Sequence, residues 1–407
     1  MLTVWLVVFI DLLGFGIVLP VLPRQVEHYL PNLSKEELGV VIGVLFSCFS
    51  AMQFIFSPMW GRVSDRIGRR PVLLISLLGS VVFYALYGYS VTLPLEQGML
   101  AVGLMFASRV GAGISGASVG TAAAVIADCT TRENRAKGMA LIGIAFGGGF
   151  TLGPLIAFFG LELFQEEAWG VGALASGLSA FALIVALMKF KETRNPENKA
   201  GKEIFSIERT REVLRMPNVG KLVFIYFLAI FAFANFEATL ALLTKSAFGL
   251  SDRDNFLVFA LVGAVLLFAG GAYRPMTKKH SEMKLLKFGI TLLIVGLGGL
   301  GAVAYMASTT DPPPLKVGFY LAMSLAVVGF AFVNPSISAL VSKNADPSRQ
   351  GEVIGVNQSF ASLGRILGPF LGSILFQLHV SHTLPYAAAV LVLVLVMGLL
   401  PRIKPAT

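Results

Sequence analysis

Twelve long apolar runs follow one another along this chain, separated by polar connectors. Each run holds about 20 residues, the length that an α-helix needs to cross the hydrocarbon core of a bilayer. The pattern predicts an all-α polytopic membrane protein whose twelve transmembrane helices form two pseudo-symmetric six-helix bundles. The predicted spans are residues 2–22, 38–60, 72–91, 97–120, 138–160, 168–188, 219–243, 255–273, 284–306, 316–340, 352–378 and 383–400.

The placement of charge predicts how these helices are oriented. Hydrophobic residues make up 56% of the sequence and charged residues only 14%, and the mean hydropathy is +0.77, which is typical of membrane proteins. Most lysines and arginines occupy one alternate set of connectors, which the positive-inside rule assigns to the cytoplasm. We therefore expect a multi-pass protein of the inner (plasma) membrane with both termini in the cytoplasm. The net charge of +9 does not indicate a nucleic-acid partner, because basic patches interleaved with aromatic residues are absent from the sequence.

Several other classes of protein are disfavoured by the sequence. The first apolar run has neither a basic region before it nor a small-residue cleavage site, so we expect no removable signal peptide. Cys48 and Cys129 are predicted at different membrane depths, too far apart for a disulfide. The sequence has no histidine and carboxylate set at metal-ligand spacing, no nucleophile elbow and no phosphate-binding loop. We expect neither an enzyme nor a bound cofactor or metal.

A polar stretch divides the twelve spans into two halves. We predict an N-terminal six-helix bundle over residues 1–188, a cytoplasmic linker over 189–218 and a C-terminal bundle over 219–407. Within the linker, residues 204–216 form either an amphipathic helix on the membrane surface or part of a disordered tether.

The two halves share a short repeat. Gly149, Gly153 and Pro154 form a Gly-x-x-x-Gly-Pro motif in the fifth span, and the same motif recurs from Gly364 to Pro369 in the eleventh. Internal repeats are typical of transporter folds. The glycines allow close helix packing, and Pro154 is expected to bend its helix.

The connector between the second and third spans is short and strongly basic. Gly61 and Gly68 are expected to provide the backbone freedom for a tight reversal. Asp65 is placed to meet either a helix N-terminus or a neighbouring guanidinium. From its residues alone, the connector is a solvated loop that only fixes orientation. Its glycines and charged residues include Gly61, Asp65, Arg66, Gly68, Arg69 and Arg70.

Four charged side chains lie well inside predicted spans, away from the span ends, where burial is costly unless the group is paired or hydrated: Asp11, Arg109, Glu237 and Arg365. Asp11 and Arg109 share a depth and form either an ion pair that protonation opens or a permanent pair that orders the N-terminal half. Glu237 either carries protons or binds a cationic substrate, unless it simply reaches water at the outer face. Arg365 is expected to be a structural or gating partner.

Polar and small residues of several spans are candidates to line a central cavity. Each amide among them could equally form an interhelical hydrogen bond. The candidates are Phe15, Gln53, Gly113, Asn235, Asn334, Asn357 and Gln358.

Three segments resemble the major facilitator superfamily. They are residues 11–23, the connector with its order Gly-x-x-x-Asp-Arg-x-Gly-Arg-Arg, and Arg109 with residues 111–117. They are most similar to the drug:proton antiporter branch that includes the tetracycline-efflux proteins. The resemblance implies that Asp11, Arg109 and the Gly153-Pro154 pair belong to the coupling machinery. It also implies that the connector, with Gly61, Asp65, Arg66, Gly68, Arg69 and Arg70, is a conformational latch between the two halves of the molecule.

Two positions depart from the tetracycline exporters. Those proteins carry an acid in helix 3 that contacts the drug–metal complex, where this chain has Phe83. The glycine pair that usually closes the helix 5 motif is replaced by Ala157 and Phe158. Both differences indicate a cargo other than tetracycline.

The expected function is proton-coupled export of a small amphiphilic or cationic organic compound by alternating access, carried out by a monomer in the lipid bilayer. One alternative is an uptake or facilitative carrier for a nutrient or an organic anion, with Arg109 as the anion ligand. Another is a non-transporting scaffold or lipid-flipping protein, in which charges inside the spans would have little use.

Overall fold

The computed structural model describes residues 6, 9–10, 13–14, 16–129, 135–165, 167–193, 207–216, 218–309, 315–345 and 349–400. Every regular element within these ranges is helical, and fourteen of the elements are α-helices. They are α1 (Leu22–Tyr29), α2 (Lys35–Ile67), α3 (Arg69–Ser90), α4 (Gly98–Gly116), α5 (Val119–Asp128), α6 (Arg135–Leu163), α7 (Trp169–Lys189), α8 (Ile207–Arg215), α9 (Val219–Phe248), α10 (Asp252–Thr277), α11 (Glu282–Ala307), α12 (Leu315–Asn344), α13 (Gln350–Gln377) and α14 (Leu384–Leu399).

The predicted spans from residue 38 onward each coincide with a described helix. In the described part of the chain, nine helices are long and apolar enough to cross a membrane, and residues 148–163 of α6 and the helix 384–399 are shorter apolar stretches. Of the first predicted span, residues 6, 9–10, 13–14 and 16–18 are helical and a turn follows at residues 19–20, while nine of its residues lie outside the described ranges. The all-α transmembrane fold predicted from the apolar runs is therefore confirmed.

Two features of the first four spans differ from the prediction. The segment Leu22–Tyr29 forms a short helix with Pro23 in its first turn, although its polar residues gave no apolar run. The fourth span is interrupted by a turn at residues 117–118 and then continues as α5 to Asp128. The small residues of this stretch allow the turn, which the apolar pattern alone does not reveal.

The basic connector is not the loop that was predicted for residues 61–71. Helix α2 continues through Gly61 and Asp65 to Ile67, and α3 begins at Arg69, so Gly68 alone joins them. Polar residues end the apolar run at the membrane surface, but they are compatible with further helical hydrogen bonding in water. The expectation that Gly61 supplies a hinge is wrong, because it lies inside a helix, whereas Gly68 has a φ of +109°. Only glycine adopts this backbone conformation without strain.

Substitutions at Gly68 and Gly61 test whether the chain reverses at Gly68 alone. We expect Gly68→Ala to lower the free energy of unfolding by about 1–3 kcal/mol, because alanine is strained at this φ. The new Cβ would also lie 2.3 Å from Oε2 of Glu192. Gly61→Ala is the matched control, since a Cβ there meets no atom within 4 Å. Thermal unfolding of the purified variants measures both effects. Equal stability of the two variants would contradict the assignment of the reversal to Gly68.

The linker contains the amphipathic helix that the sequence proposed, at least from Ile207 onward. Arg349, which precedes α13, donates to Oε2 of Glu212 on α8 at 2.7 Å and to Oε1 of Glu352 at 2.9 Å. These two hydrogen bonds raise the pKa of Arg349 above its ordinary value. The linker helix is thereby tied to the beginning of α13.

The chain forms two compact units. The first comprises residues 1–32, 48–204 and 251–263, and the second comprises residues 33–47, 205–250 and 264–407. The predicted bundle boundaries at 188 and 219 stay a prediction.

Polar contacts fix residues 251–263, the separate last segment of the first unit, to residues near the beginning of the chain. Arg24 is 5% exposed and forms an ion pair with Asp252 at 2.8 Å. Asn255 donates to the carbonyl oxygen of Pro20 at 2.9 Å. The beginning of α10 is therefore fixed to α1 and the turn before it.

The Gly-x-x-x-Gly-Pro repeats pack helices closely in both units. In the first unit, a Cβ on Gly153 would lie 2.9 Å from the carbonyl oxygen of Leu13. In the second, a Cβ on Gly364 or Gly368 would lie 2.9 Å or 2.6 Å from carbonyl oxygens of α9. The glycines predicted to allow close packing therefore lie at such contacts.

Candidate functional site

Arg109 is the buried charge of the first unit. Its side chain projects from α4 and is 1% exposed, with the guanidinium carbon 4.3 Å from the centroid of the Phe49 ring of α2. Electrostatic interactions also link it to Cys48 and to the phenols of Tyr84 and Tyr87. A cation on an aromatic face in a desolvated site gains about 2 kcal/mol, which offsets part of the cost of burial.

Two of the residues predicted around Arg109, Asp11 and Phe15, lie outside the described residues. The proposed ion pair between Asp11 and Arg109 therefore stays a prediction.

Gln53 and Gly113 lie at the contact between α2 and α4. Nε2 of Gln53 donates to the carbonyl oxygen of Gly116 at 3.2 Å, which is the interhelical hydrogen bond that the sequence left as an alternative. A Cβ on Gly113 would lie 2.5 Å from the carbonyl oxygen of Phe49. Gly113 therefore allows α2 to approach the helix that carries Arg109.

Phe83 lies at the contact between α3 and α4. Its ring lies against Gly111 of α4, only 2.2 Å from where a Cβ of that glycine would be. Its carbonyl oxygen accepts a hydrogen bond from Ser108 at 2.7 Å. Phe83 thus packs α3 against α4.

A second polar group lies in the second unit, between α9 and α12. The phenol of Tyr226 donates to Oδ1 of Asn334 at 2.7 Å. One to two turns further along α9, the ring of Phe233 stacks on Phe330 of α12 with centroids 3.7 Å apart and planes 6° apart. Asn334 is thus placed by a hydrogen bond between helices and lies one turn from the aromatic stack.

Glu237 lies on the same face of α9 as Tyr226, since eleven residues are close to three full turns. Its side chain is half-buried. Among the described residues it has no hydrogen bond or direct ion pair, and its charge interacts electrostatically with Arg365 of α13.

Arg365 is exposed, and its Nη2 atom donates to Oγ of Ser362 at 3.1 Å. Its charge interacts electrostatically with Tyr226 and Glu237 of α9. Leu367 and Leu371, which are 39% and 40% exposed, lie on roughly the opposite face of α13. That apolar face is suited to contact lipid.

The remaining amides of the second unit have different environments. Asn235 is buried and donates to the carbonyl oxygen of Pro385 at 3.1 Å, which ties α9 to α14. Asn357 is also buried, and its Oδ1 atom finds no hydrogen-bond donor in the part of the chain that the structure describes. Gln358 is exposed, one residue further along α13.

The basic connector contains an ion-pair cluster centred on Arg69. The guanidinium of Arg69 pairs with Asp65 and with Asp128 at the end of α5, the latter at 3.3 Å. Asp65 therefore meets a neighbouring guanidinium, which was one of its two predicted partners. Arg66, by contrast, is exposed.

The N-terminus of α3 is capped by Glu192, a residue beyond the sixth span. Its carboxylate accepts hydrogen bonds from the backbone N–H groups of Arg69 at 2.9 Å and Arg70 at 3.0 Å. Arg70 also donates to the carbonyl oxygen of Leu187 at 2.9 Å. Sequence reasoning missed Glu192 and Asp128, although both are isolated acids among basic cytoplasmic segments.

Comparison with known proteins identifies the family. The family model described as Major Facilitator Superfamily matches residues 4–369, with a further match over 293–407. The chain is 31% identical to the class E tetracycline resistance protein of Escherichia coli, over 91% of this chain and 86% of that protein. It is 29% identical to Multidrug resistance protein 1 of Bacillus subtilis, over 94% and 91% of the two chains.

Solved structures share the same fold. The human organic anion transporter MFSD10 (TETRAN) is 25% identical and superposes with a TM-score of 0.68, covering 98% of both chains. A D-xylose-proton symporter, 17% identical, superposes with a TM-score of 0.81 over 100% of this chain and 98% of the other. The resemblance drawn from the three sequence segments is therefore confirmed. The chain belongs to the Major Facilitator Superfamily, and like its relatives it is a multi-pass membrane transporter rather than an enzyme.

Proposed function

We propose that this chain exports a small amphiphilic or cationic organic compound in exchange for protons, by alternating access of its two halves. It acts as a monomer in the inner membrane with both termini in the cytoplasm. Asp11, Arg109 and Glu237 are the residues assigned to coupling, and the cluster at Asp65 and Arg69 is assigned to gating.

The environment of the Glu237 carboxylate is the observation that carries this proposal. Its carboxylate lies within a membrane-spanning helix, remains partly exposed and has no hydrogen bond among the described residues. A carboxylate without a fixed partner can accept either a proton or an ammonium group from the cargo, and the two exclude each other. Mutual exclusion at one site is the requirement for exchange of a proton against a cation.

The direction of transport is inferred from the relatives. Two of them are a tetracycline resistance protein and a multidrug resistance protein, and resistance to a toxic compound is consistent with export. Phe83 packs against α4 where tetracycline exporters carry an acid, which supports a cargo other than tetracycline.

A second candidate is a carrier for organic anions. It is favoured by the exposed guanidinium of Arg365 and by the similarity to a human organic anion transporter. A guanidinium inside a membrane protein is well suited to bind a carboxylate through paired hydrogen bonds.

Proteoliposomes under an imposed pH gradient distinguish the two candidates. For proton exchange, an acidic lumen should drive accumulation of the lipophilic cation ethidium, because protons leave as the cation enters. For joint movement of an anion with a proton, an alkaline lumen should drive accumulation of fluorescein. Protein-free liposomes with the same gradients are the control. Equal accumulation with and without protein, for both probes and both gradients, would contradict a proton-coupled transporter.

A further inference from the structure

We propose that the fourth span alternates between a broken and a continuous helix during transport, and that Gln53, Trp60 and Ser76 hold the broken form. All three are positioning residues, because they contact the backbone of the span and act through its shape. The inference rests on the proposed function for the roles of the two ends of the span. The break itself is a feature of the structure and does not depend on any cargo.

The break lies between α4 and α5, at a turn formed by residues 117–118. The ψ angles of Ala117 and Ser118 are 0° and −5°, whereas a regular α-helix has a ψ of about −42°. The carbonyl oxygen of Ser118 accepts from Ala122 at 3.0 Å, which is the first hydrogen bond of the new helix. The sequence from 98 to 128 contains no proline, so no residue in it forbids a continuous helix. We therefore attribute the break to contacts from neighbouring helices.

Side chains of α2 and α3 bind three successive carbonyl oxygens at the end of α4, those of residues 114–116. Nε1 of Trp60 donates to the first at 2.7 Å, and Oγ of Ser76 donates to the second at 2.7 Å. Nε2 of Gln53 donates to the third at 3.2 Å. In a continuous helix the same oxygens accept from the N–H groups four residues further along the chain. The side chains thus supply hydrogen bonds to the carbonyl oxygens at the break, where hydrocarbon offers no water.

Ser76 contacts both sides of the turn. It is fully buried, and its Oγ atom also lies 2.8 Å from Oγ of Ser118, the residue before α5. A hydroxyl has a single hydrogen, so Ser76 donates to the backbone of α4 while it accepts from Ser118. Ser76 is therefore placed to stabilise the turn itself as well as the end of α4.

Conversion to a continuous helix exchanges hydrogen bonds rather than losing them. Each carbonyl oxygen of residues 114–116 gives up a side-chain donor and gains a backbone donor. Gly116 and Ser118 have a low intrinsic preference for helix, whereas Ala117 between them has the highest. The two forms are therefore expected to be close in free energy, which is the condition for a two-state element.

The two ends of the span carry groups that the proposed function uses. Arg109 lies on α4, about two turns before the break. Asp128 ends α5 and pairs with Arg69 at 3.3 Å. The break thus separates the buried charge assigned to coupling from the ion-pair cluster assigned to gating. A change from a broken to a continuous helix would turn α5 relative to α4 and carry Asp128 with it.

Distances between two spin labels test the proposal on the purified full-length chain without any cargo. One label is attached through Gly103→Cys, at an exposed position of α4 where a Cβ meets no atom within 4 Å. The other is attached to Cys129, which is exposed at the end of α5, in a Cys48→Ala background. A continuous helix would separate the two labelled Cα atoms by about 39 Å. We expect two distances, one near this value and a second from the broken form, and a single distance that no variant changes would overturn the proposal.

Variants that favour one form assign the two distances. Ser76→Ala and Trp60→Phe each remove a hydrogen bond that holds the break, so the population of the continuous form should rise at least about three-fold. Val119→Pro, at the first residue of α5, should leave only the broken form, because proline clashes with the carbonyl oxygen four residues earlier in a continuous helix. Ser179→Ala removes a buried hydrogen bond within α7 and is the control. An equal rise in Ser179→Ala and Ser76→Ala would overturn the role of Ser76.

Transport by the same variants tests whether the change of helix belongs to the cycle. Val119→Pro should slow gradient-driven flux of ethidium at least about ten-fold while the unfolding temperature changes little. Lys35→Pro, at the exposed first residue of α2, is the control, because proline is tolerated at that position of a helix. If Val119→Pro fails to fold, Ser76→Ala and Trp60→Phe decide, and each should change the flux at least about three-fold. Full flux in the folded Val119→Pro variant, or in both of the other two, would overturn a role in transport.

The label distances separate this inference from the proposed function. Two distances without gradient-driven flux in the unsubstituted protein would support the two forms of the span and contradict proton-coupled export. Gradient-driven flux with one fixed distance in every variant would leave proton-coupled export in place and remove the second form.

Discussion

Replacing Arg109 by glutamine is expected to slow transport about 100-fold, which corresponds to a loss of about 2.7 kcal/mol in the barrier-determining step. Arg109 is 1% exposed, and its guanidinium faces the Phe49 ring at 4.3 Å. Glutamine removes the charge but preserves a polar side chain of similar reach. Efflux from proteoliposomes measures transport, and thermal unfolding of the same preparation measures stability.

The two measurements separate coupling from structure. A buried charge is costly to maintain, so its replacement by a neutral group can leave stability unchanged or raised. If Arg109 takes part in coupling, transport should fall while the unfolding temperature changes little. If the residue only orders the first unit, transport and stability should fall together.

Two further variants sharpen this prediction. Arg109→Lys keeps the charge but loses the planar group that lies on Phe49, so its transport should fall less than that of the glutamine variant. Arg211→Gln removes an exposed arginine of α8 and should behave like the unsubstituted protein. Unchanged transport in Arg109→Gln would contradict a role in coupling.

The fold was predictable because hydrophobicity acts over the length of a whole span. Apolar runs such as 284–306 and 316–340 correspond to helices Glu282–Ala307 and Leu315–Asn344 within a few residues. The hydrocarbon core offers no water to the backbone, so each apolar run must form its own backbone hydrogen bonds. An α-helix does this within a single segment. The charge bias of the connectors then predicted the orientation.

Helix ends outside the hydrocarbon were not predictable in the same way. Helix α2 continues to Ile67, seven residues beyond the apolar run, because charged residues can extend a helix in water. For the same reason the sequence placed flexibility at both Gly61 and Gly68, whereas the structure places the reversal at Gly68 alone. Polarity indicates where a span leaves the membrane but does not indicate where its helix ends.

The partners of charged residues depend on distant parts of the chain. Asp128 and Glu192 lie 59 and 123 residues beyond Arg69 in sequence, yet both contact it. Arg365 was predicted as a charge within a span, but its position against α9 follows from the packing of α13 on that helix through Gly364 and Gly368. The sequence therefore identified which residues carry charge into the membrane, and the structure was needed to show which of them lie together.

Replacing Glu237 by glutamine is expected to abolish the response of transport to a pH gradient. The described charged group that interacts with this carboxylate is Arg365 on α13. The phenol of Tyr386 on α14 lies 3.4 Å from the hydroxyl of Thr239, two residues after Glu237, and phenols stay neutral near pH 7. Glutamine cannot gain or lose a proton, so it removes the site at which proton and cargo exclude each other.

The expected result is specific to coupling. Ethidium accumulation should rise at least about ten-fold with an acidic lumen in the unsubstituted protein, as a gradient of one pH unit represents about 1.4 kcal/mol per proton. In Glu237→Gln the rate should be the same with and without the gradient. Glu96→Gln, at an exposed position before α4, should retain the full response. A full response in Glu237→Gln would show that protons act elsewhere, and Asp11 would then be the carboxylate to replace, because it is the other acid predicted inside a membrane span.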